Sequence, residues 1–165
     1  MVMVLTETEF VIRLVAAFAF GFGIGFERRT KAAGIRTFIL IALGSAAFTM
    51  IPMLPQFGGF NFDSMRMMSQ IIVGIGFIGA GVVWKHHNEF SGITTAATIW
   101  TSAAVGMLTG VGELTLAFIL ALLMIIVLYS KKYTAPPEAT EDEYLEYQAT
   151  GMGVLRKKRK RTHRD

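Results

Sequence analysis

Glu27, Arg28, Arg36 and Thr37 fall close together between two apolar runs, and Thr94, Thr95, Thr98 and Trp100 open another such run. Asp63, Arg66 and Gln70 form a third group, spaced i, i+3, i+7 as on one helix face. These side chains pair charges and exchange hydrogen bonds; none is a nucleophile beside a base. The chain has no cysteine, which removes disulfides, thiolate metal sites and Cys nucleophiles. It has no Gly-x-Ser-x-Gly elbow, and its histidines are His86, His87 and His163. Adjacent residues diverge by about 100° on a helix, so His86 and His87 are poorly placed to clasp one metal ion. Recognition is therefore expected, with no catalysis, metal or cofactor.

The elements that must position these groups are apolar and long. The chain is 53% hydrophobic over 165 residues, with a mean hydropathy of +0.50. About 20 apolar residues cross a bilayer as a helix, and five segments approach that length: residues 10–26, 35–54, 67–84, 93–110 and 114–130. The first reads as a retained span rather than a signal peptide, because Glu7 and Glu9 precede it and the basic cluster follows it. Arg28, Arg29, Lys31 and Arg36 lie between segments one and two, Lys85 between three and four, and Lys131 and Lys132 after five. The opposite side carries Arg66, with Arg13 near the start of the first span. Basic residues concentrate on cytoplasmic loops. The expected topology is multi-pass in the plasma (inner) membrane, N-terminus outside and C-terminus cytoplasmic.

Gly21, Gly23, Gly34, Ile35, Thr37 and Ala46 recur as Gly79, Gly81, Gly92, Ile93, Thr95 and Ala104, at a constant offset of 58 residues. With segments one and three running the same way, the fold expected is all-α: two parallel-repeat helical hairpins plus a fifth helix. Between helices in lipid, close contact of small residues replaces the hydrophobic drive. Ala17, Gly21 and Gly25 form one four-spaced ridge, Ser102, Gly106 and Gly110 a second, and Gly76 and Ala80 a third. Gly74-Ile-Gly-Phe-Ile-Gly79 matches the dinucleotide fingerprint, but that needs a preceding strand and an opening helix. Helix packing is the better account.

The pseudo-twofold would bring the two cytoplasmic loops together, with Glu27 pairing Lys85 or Arg36. The plainer expectation is that Gly34 and Gly92 end loops and that the threonines stabilise helix starts or bond back to their own helix. Asp63 is expected to cap its helix, and Trp84 and Trp100 to anchor at the interface. No acidic residue lies in mid-span, and little charge is expected inside the bundle.

After Tyr133 the composition changes, so residues 1–133 read as the membrane domain and 134–165 as a flexible cytoplasmic tail. An acidic stretch from Glu138 to Glu146 precedes the basic run Arg156-Lys-Lys-Arg-Lys-Arg161. Beside a membrane domain, that run suits anionic headgroups, at about 1 kcal/mol per basic residue, better than nucleic acid.

The blocks Gly25-Phe-Glu-Arg28, Ala33-Gly-Ile-Arg-Thr37, Gln70-Ile-Ile-Val-Gly-Ile-Gly-Phe-Ile-Gly-Ala-Gly81 and Gly92-Ile-Thr-Thr-Ala-Ala-Thr-Ile-Trp100, in this order, resemble the MgtC/SapB family of membrane proteins. The resemblance covers roughly residues 10–130. It implies a five-span module linked to growth in low magnesium and to survival of pathogens inside host cells. It further implies a regulator of other membrane proteins, such as P-type Mg²⁺ ATPases and the F-type ATP synthase. Membrane lipids and a homo-oligomeric copy are the other partners in view. Glu27, Arg28, Arg36, Thr37, Asp63, Arg66, Gln70, Thr94, Thr95, Thr98 and Trp100 are the positions it marks. No folded cytoplasmic C-terminal domain is expected after the fifth segment. The alternative is a transporter or channel for Mg²⁺ or another small cation.

Overall fold

The computed structural model describes residues 5–31, 33–54, 63–86 and 89–134. They form α1 (Glu7–Glu27), α2 (Ile35–Met50) running into a 3₁₀ turn (Ile51–Met53), α3 (Ser64–Gly81), α4 (Ile93–Val111) and α5 (Leu114–Thr134). Two short strands, β1 (Trp84–His86) and β2 (Glu89–Ser91), join α3 to α4. The described residues up to Ser130 make one compact unit. His87 and the acidic and basic stretches of the tail lie outside the described residues. By length and composition, α1 and the run Ile35–Met53 could each cross a membrane, and Leu114–Ser130 is a shorter apolar stretch.

Helix starts follow from local chemistry. The Thr6 hydroxyl accepts from the Glu9 N–H, while the Glu9 carboxylate accepts from the Thr6 N–H at 2.9 Å. This capping box satisfies donors that would otherwise be orphaned, so α1 begins ahead of the apolar run. Asp63 caps α3 as expected, accepting from Met65 N at 3.0 Å and Arg66 N at 3.1 Å. The two Gly-Ile-x-Thr blocks differ from expectation. No side chain caps α2 or α4, and the N-cap glycines diverge: Gly34 is extended at φ −112°, whereas Gly92 is left-handed at φ +85°. Gly92 follows β2 and presses on the end of α3, where an added Cβ would overlap the Val82 carbonyl. Tertiary packing, rather than the shared tetrapeptide, sets each turn.

In the polar stretch after α3, Trp84–His86 and Glu89–Ser91 pair as antiparallel strands. Their ladder pairs Trp84 with Ser91, Lys85 with Phe90 and His86 with Glu89. Lys85 Nζ lies 5.6 Å from the Phe90 ring centroid, a cross-strand cation–π contact. Lys85 therefore does not serve as the partner of Glu27.

Helix α2 is the centre of the bundle. On one side α1 brings Gly21 and Gly25 against it: added Cβ atoms would stand 2.8 Å from Ile39 Cα and 2.6 Å from Ile35 Cα. On the other, Gly106 and Gly110 of α4 meet the Ala42 and Ala46 carbonyls, at 2.5 and 2.8 Å from the same hypothetical atoms. Backbones approach this closely where at least one helix has no side chain to hold them apart. The third ridge requires correction. Gly76 has nothing within 4 Å and Ala80 is exposed; α3 buries Ile71, Ile75 and Gly79 instead. Spacing identifies a smooth face but not the helix opposite. Ala117, Ala121, Met124 and Leu128 form the buried stripe of α5. Phe118 lies 6.4 Å from Phe20 of α1.

Candidate functional site

The residues marked by sequence do not form one polar face; the structure divides them among three places. At the end of α1, Arg28 is the C-cap and is 4% exposed. Its Nη2 donates to Thr98 Oγ1 at 3.2 Å and to Thr95 Oγ1 at 3.5 Å, across to α4. Thr98 Oγ1 in turn donates to the Thr94 carbonyl at 2.6 Å. Glu27 Oε2 approaches Arg28 Nε at 4.0 Å, and both atoms are buried without a hydrogen bond. Thus Glu27 keeps company with its neighbour rather than with Arg36. A cation beside a helix N-terminus faces the positive end of the macrodipole. The two hydroxyls, the Glu27 charge and the negative end of α1, which Arg28 caps, offset that, and the cluster is a polar junction of α1 and α4.

The opposite end of α4 is held by a residue that sequence reasoning left out of the candidate set. Arg13, 9% exposed, donates from Nη1 to the Gly110 carbonyl at 2.7 Å. Here the charge meets the negative end of the helix dipole, a favourable arrangement. Gly112, left-handed at φ +95°, lies against the guanidinium: an added Cβ would be 2.9 Å from Arg13 Cζ. An arginine inside an apolar segment was the available signal. Two buried arginines also correct the expectation of a bundle with little internal charge. Arg13→Leu leaves the Gly110 carbonyl without its donor. A charge-assisted hydrogen bond contributes about 1.5–3 kcal/mol, so a clearly lower thermal midpoint in detergent is expected, with Arg13→Lys intermediate.

The second place is a groove of about 870 Å³ between α2 and α3, where Arg36, Thr37 and Gln70 join an apolar lining. Arg36 and Gln70 are exposed. The third is a cleft of about 300 Å³ bounded by Gly76, Ala80, Ala96 and Trp100. Trp100 lies seven residues beyond the start of α4, about 10 Å along it, deeper than an end anchor. Arg66 is exposed at the head of α3 and joins none of these groups. Ser102 is fully buried on the α4 seam, and its Oγ has no hydrogen-bond partner.

The MgtC family profile matches residues 14–135. Escherichia coli "Putative magnesium transporter YhiD" is 40% identical over 128 residues, covering 73% of this chain and 59% of its own. Brucella abortus "Protein MgtC" is 41% identical over 116 residues, 69% of this chain and 48% of its own. Bacillus subtilis "Protein SapB" is 36% identical over 128 residues, 73% and 55% respectively. The chain thus spans about half the length of the curated relatives it matches. No solved structure matches. A profile match over most of the chain, with relatives at these identities, shows that this chain belongs to the MgtC family.

Proposed function

We propose that this chain is a five-span protein of the plasma membrane that serves magnesium homeostasis and adaptation to low Mg²⁺. In this reading it regulates other membrane transporters or ATPases through helix–helix contact. Its two hairpins run parallel, with the N-terminus outside and the C-terminus cytoplasmic. Support for the repeat comes from matched contacts. Gly21 approaches the Phe38 carbonyl in the first hairpin, and Gly79 approaches the Ala96 carbonyl in the second, at the same 58-residue offset.

The observation that carries the regulatory reading is the closed α2–α4 seam. With Gly106 and Gly110 seated on carbonyls of α2, no ion path runs between these helices. The threonines along it bond inward, Thr49 to the Ser45 carbonyl and Thr109 to the Val105 carbonyl, each at 2.7 Å. Mg²⁺ demands about six oxygens and sheds water reluctantly, and intramembrane acids that usually mark a cation route are missing from the mid-spans. The outer faces, by contrast, offer small and aromatic residues to a neighbouring helix.

Purified protein in liposomes is expected to give Mg²⁺ uptake no faster than protein-free vesicles. In cells, Thr95→Ala or Arg36→Ala should impair growth in low Mg²⁺ while membrane insertion is retained. The transporter reading draws on the printed name of the E. coli relative. Saturable, protein-dependent uptake would establish it over the regulatory one.

A further inference from the structure

We propose that the groove between α2 and α3 holds an anionic phospholipid, with an acyl chain along the groove floor and the headgroup phosphate at Arg36. The proposal rests on the reading of both helices as membrane spans. The groove runs from Arg36 to Phe48 along α2, twelve residues or about 18 Å. That is slightly more than one leaflet of hydrocarbon, about 15 Å. Its walls are apolar, and Leu40 at 68% and Phe48 at 53% exposure face it open. A Cβ added at Gly44 or Gly74, one on each wall, would meet nothing within 4 Å, so no side chain among the described residues fills the floor there. An apolar groove of that length in a bilayer is filled by hydrocarbon.

Charge decides which lipid. Arg36 stands at one mouth with Thr37, beside the uncapped start of α2. Among the described residues, no ion pair or hydrogen bond engages its guanidinium. The far stretch of the groove carries Gln70 and Ser45, which are uncharged. A single free cation at one mouth of an apolar channel complements a negatively charged headgroup and its chain. A basic pocket between helices on the cytoplasmic side recognises anionic lipid in this way.

The test uses the full chain in detergent, offered phosphatidylglycerol and phosphatidylcholine with identical acyl chains and read by native mass spectrometry. Wild type should retain phosphatidylglycerol about fivefold over phosphatidylcholine. Arg36→Gln should bring that ratio to about one while leaving lipid bound. Gly44→Leu and Gly74→Leu each place a side chain in open space within the groove, so the fold should survive and retained lipid of either kind should drop severalfold. Gly81→Leu, equally open but lining neither the groove nor the Trp100 cleft, should change nothing. Millimolar inorganic phosphate should not displace the lipid. Equal retention of the two lipids overturns the proposal, as does retention unaffected by both glycine variants or displacement by phosphate. A dimer cross-linked through cysteines placed at position 40, in lipid-free protein, would assign the groove to a second copy and overturn it too. Washing of the chain from membranes at alkaline pH would instead sink the spanning reading beneath it.

Discussion

Gly106→Leu is expected to destabilise the folded bundle severely. A Cβ at this position would stand 2.5 Å from the Ala42 carbonyl and 2.8 Å from Ser45 Cβ. The obstruction is backbone of a neighbouring helix, which cannot rotate away as a side chain would. Overpacking a filled core costs about 1–3 kcal/mol and occasionally more, and here the helices must separate, which places the loss at the upper end. Against a total stability of about 5–15 kcal/mol that is a large share. Gly110→Leu meets the Ala46 carbonyl and Thr49 and should behave alike. Fluorescence-detected size-exclusion chromatography of both, with Gly76→Leu as the control whose new side chain meets open space, reads the difference directly. Monodisperse Gly106→Leu protein at wild-type yield would mean that α2 and α4 are not in contact as described.

The second large effect belongs to Arg28. Arg28→Ala removes the link from α1 to Thr95 and Thr98 and strands Glu27 Oε2 in its buried position. Removing one partner of a buried pair costs about 3–5 kcal/mol, and Glu27 at 25% exposure, with a 4.0 Å separation, places this case at the lower bound. The double variant Glu27→Gln with Arg28→Met should be more stable than Arg28→Ala alone, because no uncompensated charge is then left behind. Arg28→Lys should not restore wild-type stability, since a single ammonium cannot both serve the threonine hydroxyls, as Nη2 does, and face Glu27, as Nε does. Thermal midpoints in detergent check the order. If the double variant is the least stable of the set, the electrostatic account of this junction fails.

These junctions were only partly legible in the chain. The ridges Ala17–Gly21–Gly25 and Ser102–Gly106–Gly110 could be read because close helix approach demands small residues at fixed spacing. The same spacing at Gly76 and Ala80 misled, since what lies opposite a face is a tertiary fact. Arg28 was marked, yet its partners Thr95 and Thr98 are 67 and 70 residues away, beyond any local pattern, and the charge pairs expected for Glu27 were others. The pairing of Trp84–His86 with Glu89–Ser91 was hidden because three-residue strands have too few residues for alternation to show. Arg36 and Gln70 were singled out from segments one helix apart; only the splay between α2 and α3 places them on a common groove.

Because the chain has no cysteine, single cysteines at exposed positions 29, 66, 85 and 113 can be labelled in intact cells with a membrane-impermeant maleimide. Parallel hairpins in lipid predict that 29 and 85 are protected and react only after the membrane is opened, while 66 and 113 react from outside. Labelling of 29 and 85 from opposite sides of the membrane would contradict the account.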